Sequence, residues 1–247
     1  MNAEILSGIE LSEATPLLEE LFDLIPGIVF FIKDNDGRYL GANRTLAKRC
    51  GVSSAGDLIG KTAADVFPGA MGIGYLKQDL NLIRSGNKIS DKLELHLYIS
   101  GQQGWCLTNK IPLFDADGCI KGLIGISQDL REPYSGGSHY SEISSAVEYI
   151  QKNYGEHLSL GELAALTGLS EYQFKRRMKW IFQITAGRFI IKTRIDASCE
   201  LLAHSSTPIV DIALECGYSD QSAFTRQFRS ITGLTPSGYR NKRTSSS

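Results

Sequence analysis

Apolar residues recur at helical spacing in some stretches of the first half of the chain and alternate with polar residues in others. Residues 11–24 place leucines along one side of a helix and acids opposite, which predicts an amphipathic helix. An apolar run, a turn at Asp34–Gly37 and a second short run predict a β-hairpin. Helical periods interrupted by glycines follow, and the last of these helices is predicted at Gly74–Ser85.

Three strand-like segments end this half. In KLELHLYI, Leu93 and Leu95 alternate with Glu94 and His96, which predicts a half-buried strand with its leucines toward the core and His96 facing outward. The runs WCLTNKIPLF and CIKGLIGISQDL follow, joined by a DADG turn. Two strands, several short helices and three antiparallel strands indicate an α+β domain.

The second half is rich in helical patterns. LSLGELAALTGLSEYQFKRRMKWIF predicts a short helix, a turn at Gly168 and a longer helix that begins with a capping box of Ser170 and Gln173. This helix-turn-helix spacing recurs in TPIVDIALECGYSDQSAFTRQF, with its turn at Gly217. Between the two, Gly187–His204 predicts one helix roughly 27 Å long. The second half is therefore predicted to be an all-α domain with two helix-turn-helix units.

The two halves differ in charge, although the whole chain has a net charge of only −1. Residues 1–137 hold 13 basic and 17 acidic side chains, whereas residues 138–247 hold 13 and 10. A change of sign between halves supports two separate domains.

The stretch REPYSGGSHYSE lies between the halves and has the composition of a flexible linker. We predict an α+β domain with its amphipathic helix at 1–131, a linker at 132–142, an all-α domain with the two helix-turn-helix units at 143–240 and a flexible tail at 241–247.

Several classes of protein are excluded by what the sequence lacks. No apolar run reaches about 18 residues, so no membrane span or membrane partner is expected. Acids stand where a signal peptide needs basic residues, which predicts a cytoplasmic protein. The five scattered cysteines form no CxxC pair and no His-x-x-x-His is present, so we expect reduced thiols and no metal site. No nucleophile-elbow, P-loop or HExxH motif indicates an enzyme, and no catalytic residue is assigned.

The first half resembles a PAS sensor domain. The resemblance rests on the order of its elements and on the phrases IKDNDGRYLGAN, LIGKTAADVFP and NKIPLFDADGCIKGLIGISQDL, and it covers roughly residues 19–131. It implies a five-stranded antiparallel sheet with helices packed on one face around a small pocket.

The occupant of this pocket is left open. Ala63 stands where photosensory flavin domains of this kind carry their reactive cysteine, and the helix predicted at 74–85 lacks the histidine of haem-binding relatives. A small organic ligand or an empty dimerising domain therefore remain as alternatives. The candidate ligand-binding residues are Phe31, Asn43, Leu46, Phe67, Tyr75, Leu76, Leu80, Leu95, Trp105 and Leu107.

Residues 143–240 resemble the AraC/XylS family of bacterial transcription regulators, most clearly in DIALECGYSDQSAFTRQFRSITGLTPSGYR. The resemblance implies binding to double-stranded DNA through the outward faces of two recognition helices. Arginine can match guanine and glutamine can match adenine in the major groove. The predicted DNA-binding residues are Tyr172, Gln173, Lys175, Arg176 and Lys179 in the first unit, and Gln221, Ser222, Thr225 and Arg226 in the second.

Together these features predict a cytoplasmic, sequence-specific DNA-binding regulator, an activator and homodimer controlled by a small ligand in the PAS-like pocket. The alternative is a ligand-free PAS module that acts in dimerisation or in signalling to a protein such as RNA polymerase, coupled to the same DNA-binding domain.

Overall fold

The chain forms two compact units, and the main division between them falls between Asp129 and Leu130. The computed structural model describes residues 11–67, 69–97, 103–130 and 138–244. The predicted linker residues 132–137 and tail residues 245–247 lie outside these ranges. No helix within them is long and apolar enough to cross a bilayer.

The first unit is the predicted five-stranded antiparallel sheet with helices, in the order β2-β1-β5-β4-β3. Its strands are β1 (Ile28–Asp34), β2 (Tyr39–Ala42), β3 (Ile89–Leu97), β4 (Gln103–Phe114) and β5 (Ile120–Asp129). Its helices are α1 (Leu11–Asp23), α2 (Arg44–Arg49), a 3-10 turn (Ala55–Leu58), α3 (Ala63–Val66) and α4 (Gly69–Ser85). Helix α4 begins five residues before the predicted Gly74, because Gly69 starts the helix instead of interrupting it.

Strand register assigns side chains to the two faces of this sheet. Val29 pairs with Ser127, and Ser127 pairs in turn with Thr108. Cys106, two residues before Thr108 on β4, pairs with Glu94 on β3. Because side chains alternate along a strand, these residues share one face, which we call the cavity face. Its members are Val29, Phe31, Lys33, Glu94, His96, Cys106, Thr108, Lys110, Gly125 and Ser127.

Helix α1 packs on the opposite face of the sheet. The ring of Phe22 stacks on Phe30 with 4.6 Å between ring centroids. The Glu19 carboxylate accepts a hydrogen bond from the Ala42 amide at 2.7 Å, and Asp23 accepts one from the Arg44 amide at 2.8 Å. One side of the amphipathic helix is thus fixed to β1, β2 and the start of α2.

The second unit is helical throughout its described residues. It contains α5 (Ser138–Ser141), α6 (Ser144–Lys152), α7 (Leu160–Ala165), α8 (Glu171–Phe182), α9 (Ala186–His204), α10 (Ile209–Glu215), α11 (Gln221–Thr232) and α12 (Pro236–Thr244). The two predicted flexible segments, the linker and the tail, were therefore too long. Residues 138–141 of the predicted linker form α5, and residues 241–244 of the predicted tail belong to α12.

The pairs α7–α8 and α10–α11 are the two helix-turn-helix units, and α9 connects them. Gly168 and Gly217 make the turns with φ of 69° and 77°, a left-handed conformation that glycine adopts without strain. Arg194 on α9 donates hydrogen bonds to the carbonyls of Tyr154 at 2.8 Å and Glu156 at 2.9 Å. These bonds fix the connecting helix α9 to the loop that precedes α7.

Candidate nucleic-acid interface and sensor cavity

Helix α8 has one buried side and one solvent-facing side. Phe174, Met178 and Phe182 are buried, so the helix is oriented by an apolar stripe at i, i+4 and i+8. The five residues predicted to bind DNA on this helix are all exposed: Tyr172, Gln173, Lys175, Arg176 and Lys179.

Contacts within the helix distinguish these five residues. The side-chain oxygen of Gln173 accepts hydrogen bonds from the amide and hydroxyl of Ser170, which is the predicted capping box. Lys175 forms an ion pair with Glu171. Arg176 has no ion pair or hydrogen bond among the described residues, so its guanidinium is available to a base edge. Gln173, by contrast, has its acceptor occupied and cannot pair with adenine unless the cap opens.

Helix α11 repeats this arrangement. Phe224 and Phe228 are buried, Gln221, Ser222 and Arg226 are exposed, and Thr225 is half-buried. Asp220 caps the helix by accepting a hydrogen bond from the Ala223 amide at 2.7 Å. That bond, together with the Ser219 hydroxyl, lowers the pKa of Asp220.

The sequence analysis did not single out one exposed aromatic residue on α8. The side chain of Trp180 is 65% exposed and lies one helical turn after Arg176. Arg177 lies beside it and forms an ion pair with Glu142 at 2.6 Å. An exposed Trp is unusual on a helix whose apolar stripe is already buried. The sequence signal that could have placed Trp180 on the exposed face was its i, i+4 spacing from Arg176.

The cavity face of the first unit and the helices above it enclose a cavity. Its empty space is about 480 Å³ including the opening, of which about 40 Å³ accepts the centre of a water molecule. The lining residues are Val29, Phe31, Lys33, Tyr39, Leu46, Arg49, Ala63, Phe67, Tyr75, Asp79, Glu94, His96, Thr108, Lys110 and Ser127. As it stands, the space accommodates a few non-hydrogen atoms or ordered waters.

Four of the ten predicted ligand-binding residues line this cavity: Phe31, Leu46, Phe67 and Tyr75. The other six do not. Asn43 caps α2 and hydrogen-bonds to β1. Leu76 and Leu80 approach Gly37 in the β1–β2 turn. Leu95, Trp105 and Leu107 lie on the opposite face of the sheet.

The prediction that His96 faces outward was also wrong, because the alternation in β3 was assigned to the wrong face. Leu93 and Leu95 are buried, but Glu94 and His96 are the residues on the cavity face. Both faces of β3 are covered, so a period of two does not reveal which face is the core.

A buried carboxylate joins two buried lysines in the wall of the cavity. Asp79 on α4 lies 2.5 Å from the Lys33 ammonium and 2.6 Å from the Lys110 ammonium. Burial by itself raises the pKa of Asp79, but the charges and hydrogen bonds of Lys110 and Lys33 outweigh it and lower the pKa. Lys33 also lies over the ring of Tyr39 at 4.1 Å.

A second polar group lies on β3 and β4. Glu94 accepts hydrogen bonds at one oxygen from Gln78 and Lys92, each at 2.9 Å, and its other oxygen lies 3.4 Å from His96 Nε2. Burial raises the pKa of Glu94, but His96, Lys92 and Lys110 hold it well below its usual range. Burial lowers the pKa of His96, but Cys106 and Glu94 raise it to about 10.

These groups give the cavity wall an excess of positive charge. Lys33, His96 and Lys110 line it, against the carboxylates of Asp79 and Glu94. Arg49 also lines it and forms an ion pair with Asp129 at 2.5 Å. The sequence analysis did not identify these lysines as cavity residues. The available signal was that Lys33 follows Val29 and Phe31 at a strand period of two.

Comparison with known families agrees with this geometry. A family profile described as "PAS fold" matches residues 22–135, and one described as "Helix-turn-helix domain" matches residues 163–242. Regulatory protein SoxS of Salmonella typhimurium is 30% identical over 105 residues, which cover 42% of this chain and 98% of SoxS. The probable transcriptional regulator LumQ of Photobacterium leiognathi is 31% identical over 91 residues, covering 37% of each chain. The chain thus spans little more than a third of LumQ.

A solved AraC-type transcriptional regulator from Chromobacterium violaceum is 28% identical, with a TM-score of 0.40 over 42% of this chain and 92% of that one. The chain belongs to the AraC/XylS family of DNA-binding transcription regulators and carries an N-terminal PAS domain. Its relatives are transcription regulators, not enzymes.

Proposed function

We propose that each chain reads two successive major grooves of one DNA site, with Arg176 and Arg226 as the principal base readers. The observation that carries this proposal is the equivalent placement of an exposed arginine on α8 and on α11. Helix α9 has 19 residues, about 28 Å at 1.5 Å per residue. That length is close to the ~34 Å between equivalent grooves on one face of the duplex. Footprinting on DNA tests the proposal.

We further propose that a small organic anion in the PAS cavity controls DNA binding. The excess of cations on the cavity wall favours a negative group, and Phe31, Leu46 and Phe67 supply an apolar side for its carbon atoms. The modest open space limits the ligand to a few non-hydrogen atoms, such as a short-chain carboxylate. The alternative is a ligand-free PAS domain with a water-filled cavity.

Filling the cavity is expected to abolish ligand retention. Ala63 lines the cavity, whereas its neighbour Ala64 on α3 does not, so Ala63→Leu and Ala64→Leu are a matched pair. Native mass spectrometry of freshly purified protein, with and without added short-chain carboxylates, should show a bound small molecule in the wild type and in Ala64→Leu, but not in Ala63→Leu. Equal retention in both variants contradicts this cavity as the site, and no bound mass in the wild type supports the ligand-free alternative.

We also propose that α1 makes a homodimer. Leu17 and Leu21 are 63% and 53% exposed and lie one turn apart on the side of α1 that faces away from the sheet. Leu24 continues this apolar stripe just beyond the helix. An apolar stripe at i, i+4 and i+7 is the seam along which a second helix packs.

Charges placed in this stripe should separate the dimer. The double variant Leu17→Glu, Leu21→Glu should raise the dimer dissociation constant at least tenfold in sedimentation equilibrium. Phe114→Glu, at an equally exposed position on β4, should leave it unchanged. A wild-type protein that is monomeric at high micromolar concentration contradicts this proposal.

Activation of transcription, through contact with RNA polymerase in the cytoplasm, is the expected output of such a regulator. It is supported here only by the family to which the chain belongs. Transcription from a bound promoter in a purified system tests the sign of the effect.

A further inference from the structure

Three potential metal ligands converge where β3 pairs with β4. Glu94 and Cys106 are direct partners across the two strands, and His96 follows Glu94 by two residues on the same face. Their carboxylate, thiol and imidazole ligand atoms all lie within 4.8 Å of one another. Glu94 and Cys106 are buried, and His96 is largely so.

Two of the three distances between these atoms match the edges of a metal coordination polyhedron. His96 Nε2 lies 3.4 Å from a Glu94 oxygen and 3.5 Å from Cys106 Sγ. In a tetrahedral zinc site, bond lengths of about 2.0–2.2 Å to nitrogen and oxygen and 2.3 Å to sulfur place neighbouring ligand atoms about 3.4–3.6 Å apart. His96 Nε2 thus already lies at this spacing from both other ligand atoms, and the Glu94 carboxylate and Cys106 Sγ lie within 4.8 Å of each other.

The surrounding contacts support the same arrangement. Gln78 and Lys92 both donate to one oxygen of Glu94, which leaves the other oxygen directed at His96. Such outer hydrogen bonds orient a coordinating carboxylate. Glu94 and His96 also line the cavity, so a fourth coordination position can face it.

We propose that Glu94, His96 and Cys106 bind a divalent transition-metal ion of the zinc type, with the fourth position open to the cavity. Thiolate, imidazole and carboxylate ligands together favour zinc over magnesium or calcium. On binding, the Cys106 thiol and the protonated His96 imidazole each release a proton to solvent, and the sulfur and Nε2 form bonds to the metal. The new thiolate and Glu94 supply negative charge that offsets the nearby ammonium groups of Lys92 and Lys110. The spacing of cysteines along the chain gave no sign of this site, because strand pairing alone unites its ligands.

Cobalt(II) is the probe that tests the site, because its bond to a thiolate produces an intense charge-transfer absorption. Untagged, full-length, chelator-treated protein should bind one equivalent of cobalt with this band, and zinc should displace the cobalt. Cys106→Ser should lose the band, whereas Cys119→Ser, which removes an exposed cysteine of the same unit, should keep it. His96→Gln should weaken zinc binding at least tenfold in calorimetry and is informative even if Cys106→Ser fails to fold.

The readouts need neither DNA nor an organic ligand, so they succeed or fail independently of the proposed function. The absence of the cobalt band in the wild type, or its persistence in Cys106→Ser, overturns the proposal. Loss of the band in Cys119→Ser overturns it as well, because the thiolate then comes from another residue. Unchanged zinc affinity in His96→Gln would show that the imidazole is not a ligand, which contradicts the three-ligand site.

Discussion

Arg176→Ala and Arg226→Ala are each expected to weaken binding to the cognate DNA site by about 1–3 kcal/mol, roughly the contribution of one bidentate contact between arginine and guanine. Both side chains are exposed on their recognition helices. Because the helices belong to different helix-turn-helix units, each variant should relax sequence preference only in its own half of the site. Competition binding with DNA altered one base pair at a time measures both effects.

The control for these variants is a cation away from the recognition helices. Arg188→Ala, on the connecting helix α9, should weaken binding to all sequences about equally and flatten the salt dependence, as expected for a phosphate contact. Loss of discrimination at the same base pairs in Arg176→Ala and Arg226→Ala, or at none, contradicts their assignment as readers of separate grooves.

The largest expected effect on stability is at Asp79. Asp79→Asn removes the only carboxylate that the described residues place against both Lys33 and Lys110, and leaves two buried ammonium groups without their counter-charge. Breaking a buried pair in this way costs about 3–5 kcal/mol. Urea unfolding followed by Trp105 fluorescence, in a Trp180→Phe background, reports on the first unit alone because the chain has only these two tryptophans.

An exposed ion pair in the same unit provides the comparison. Lys121 lies 3.2 Å from Asp115 and its side chain is 63% exposed, so Lys121→Ala should cost no more than about 1 kcal/mol. Adding Lys110→Met to Asp79→Asn should recover part of the lost stability, since one unpaired ammonium is removed. An Asp79→Asn variant as stable as Lys121→Ala contradicts the assigned role of this carboxylate.

The same carboxylate also makes the first unit sensitive to acid. The pKa of Asp79 is lower in the folded protein than its ordinary value. Its contribution is therefore fully present above the ordinary carboxyl pKa and is lost as the pH falls through the folded-state pKa. The stability difference between wild type and Asp79→Asn should accordingly shrink under acidic conditions.

The sequence predicted the sheet and the two helix-turn-helix units because their signals are local. The turns at Gly168 and Gly217 and the stripe of Phe174 and Met178 each lie within one or two helical turns. The exposed face of α8 followed directly from that stripe. The predicted capping box of Ser170 and Gln173 is also present, and it occupies the side-chain oxygen that the predicted contact between Gln173 and adenine requires.

The cavity was less predictable because its residues are brought together by pairing between distant strands. Leu95, Trp105 and Leu107 have the apolar character of pocket residues, but register places them on the other face. The pocket wall instead contains Lys110 and Asp79, which sequence patterns favour as surface residues. Their burial depends on the ion pair that they form with each other. Because 31 residues separate the two along the chain, no local pattern indicates this pair.

Hydroxyl-radical footprinting of the full-length protein on its DNA site tests the central claim most directly. The bipartite arrangement predicts that each chain protects two segments centred about one helical turn, roughly 10 base pairs, apart on the same face of the duplex. Arg226→Ala should weaken protection in one segment and Arg176→Ala in the other. A single protected groove per chain in the wild type contradicts the account.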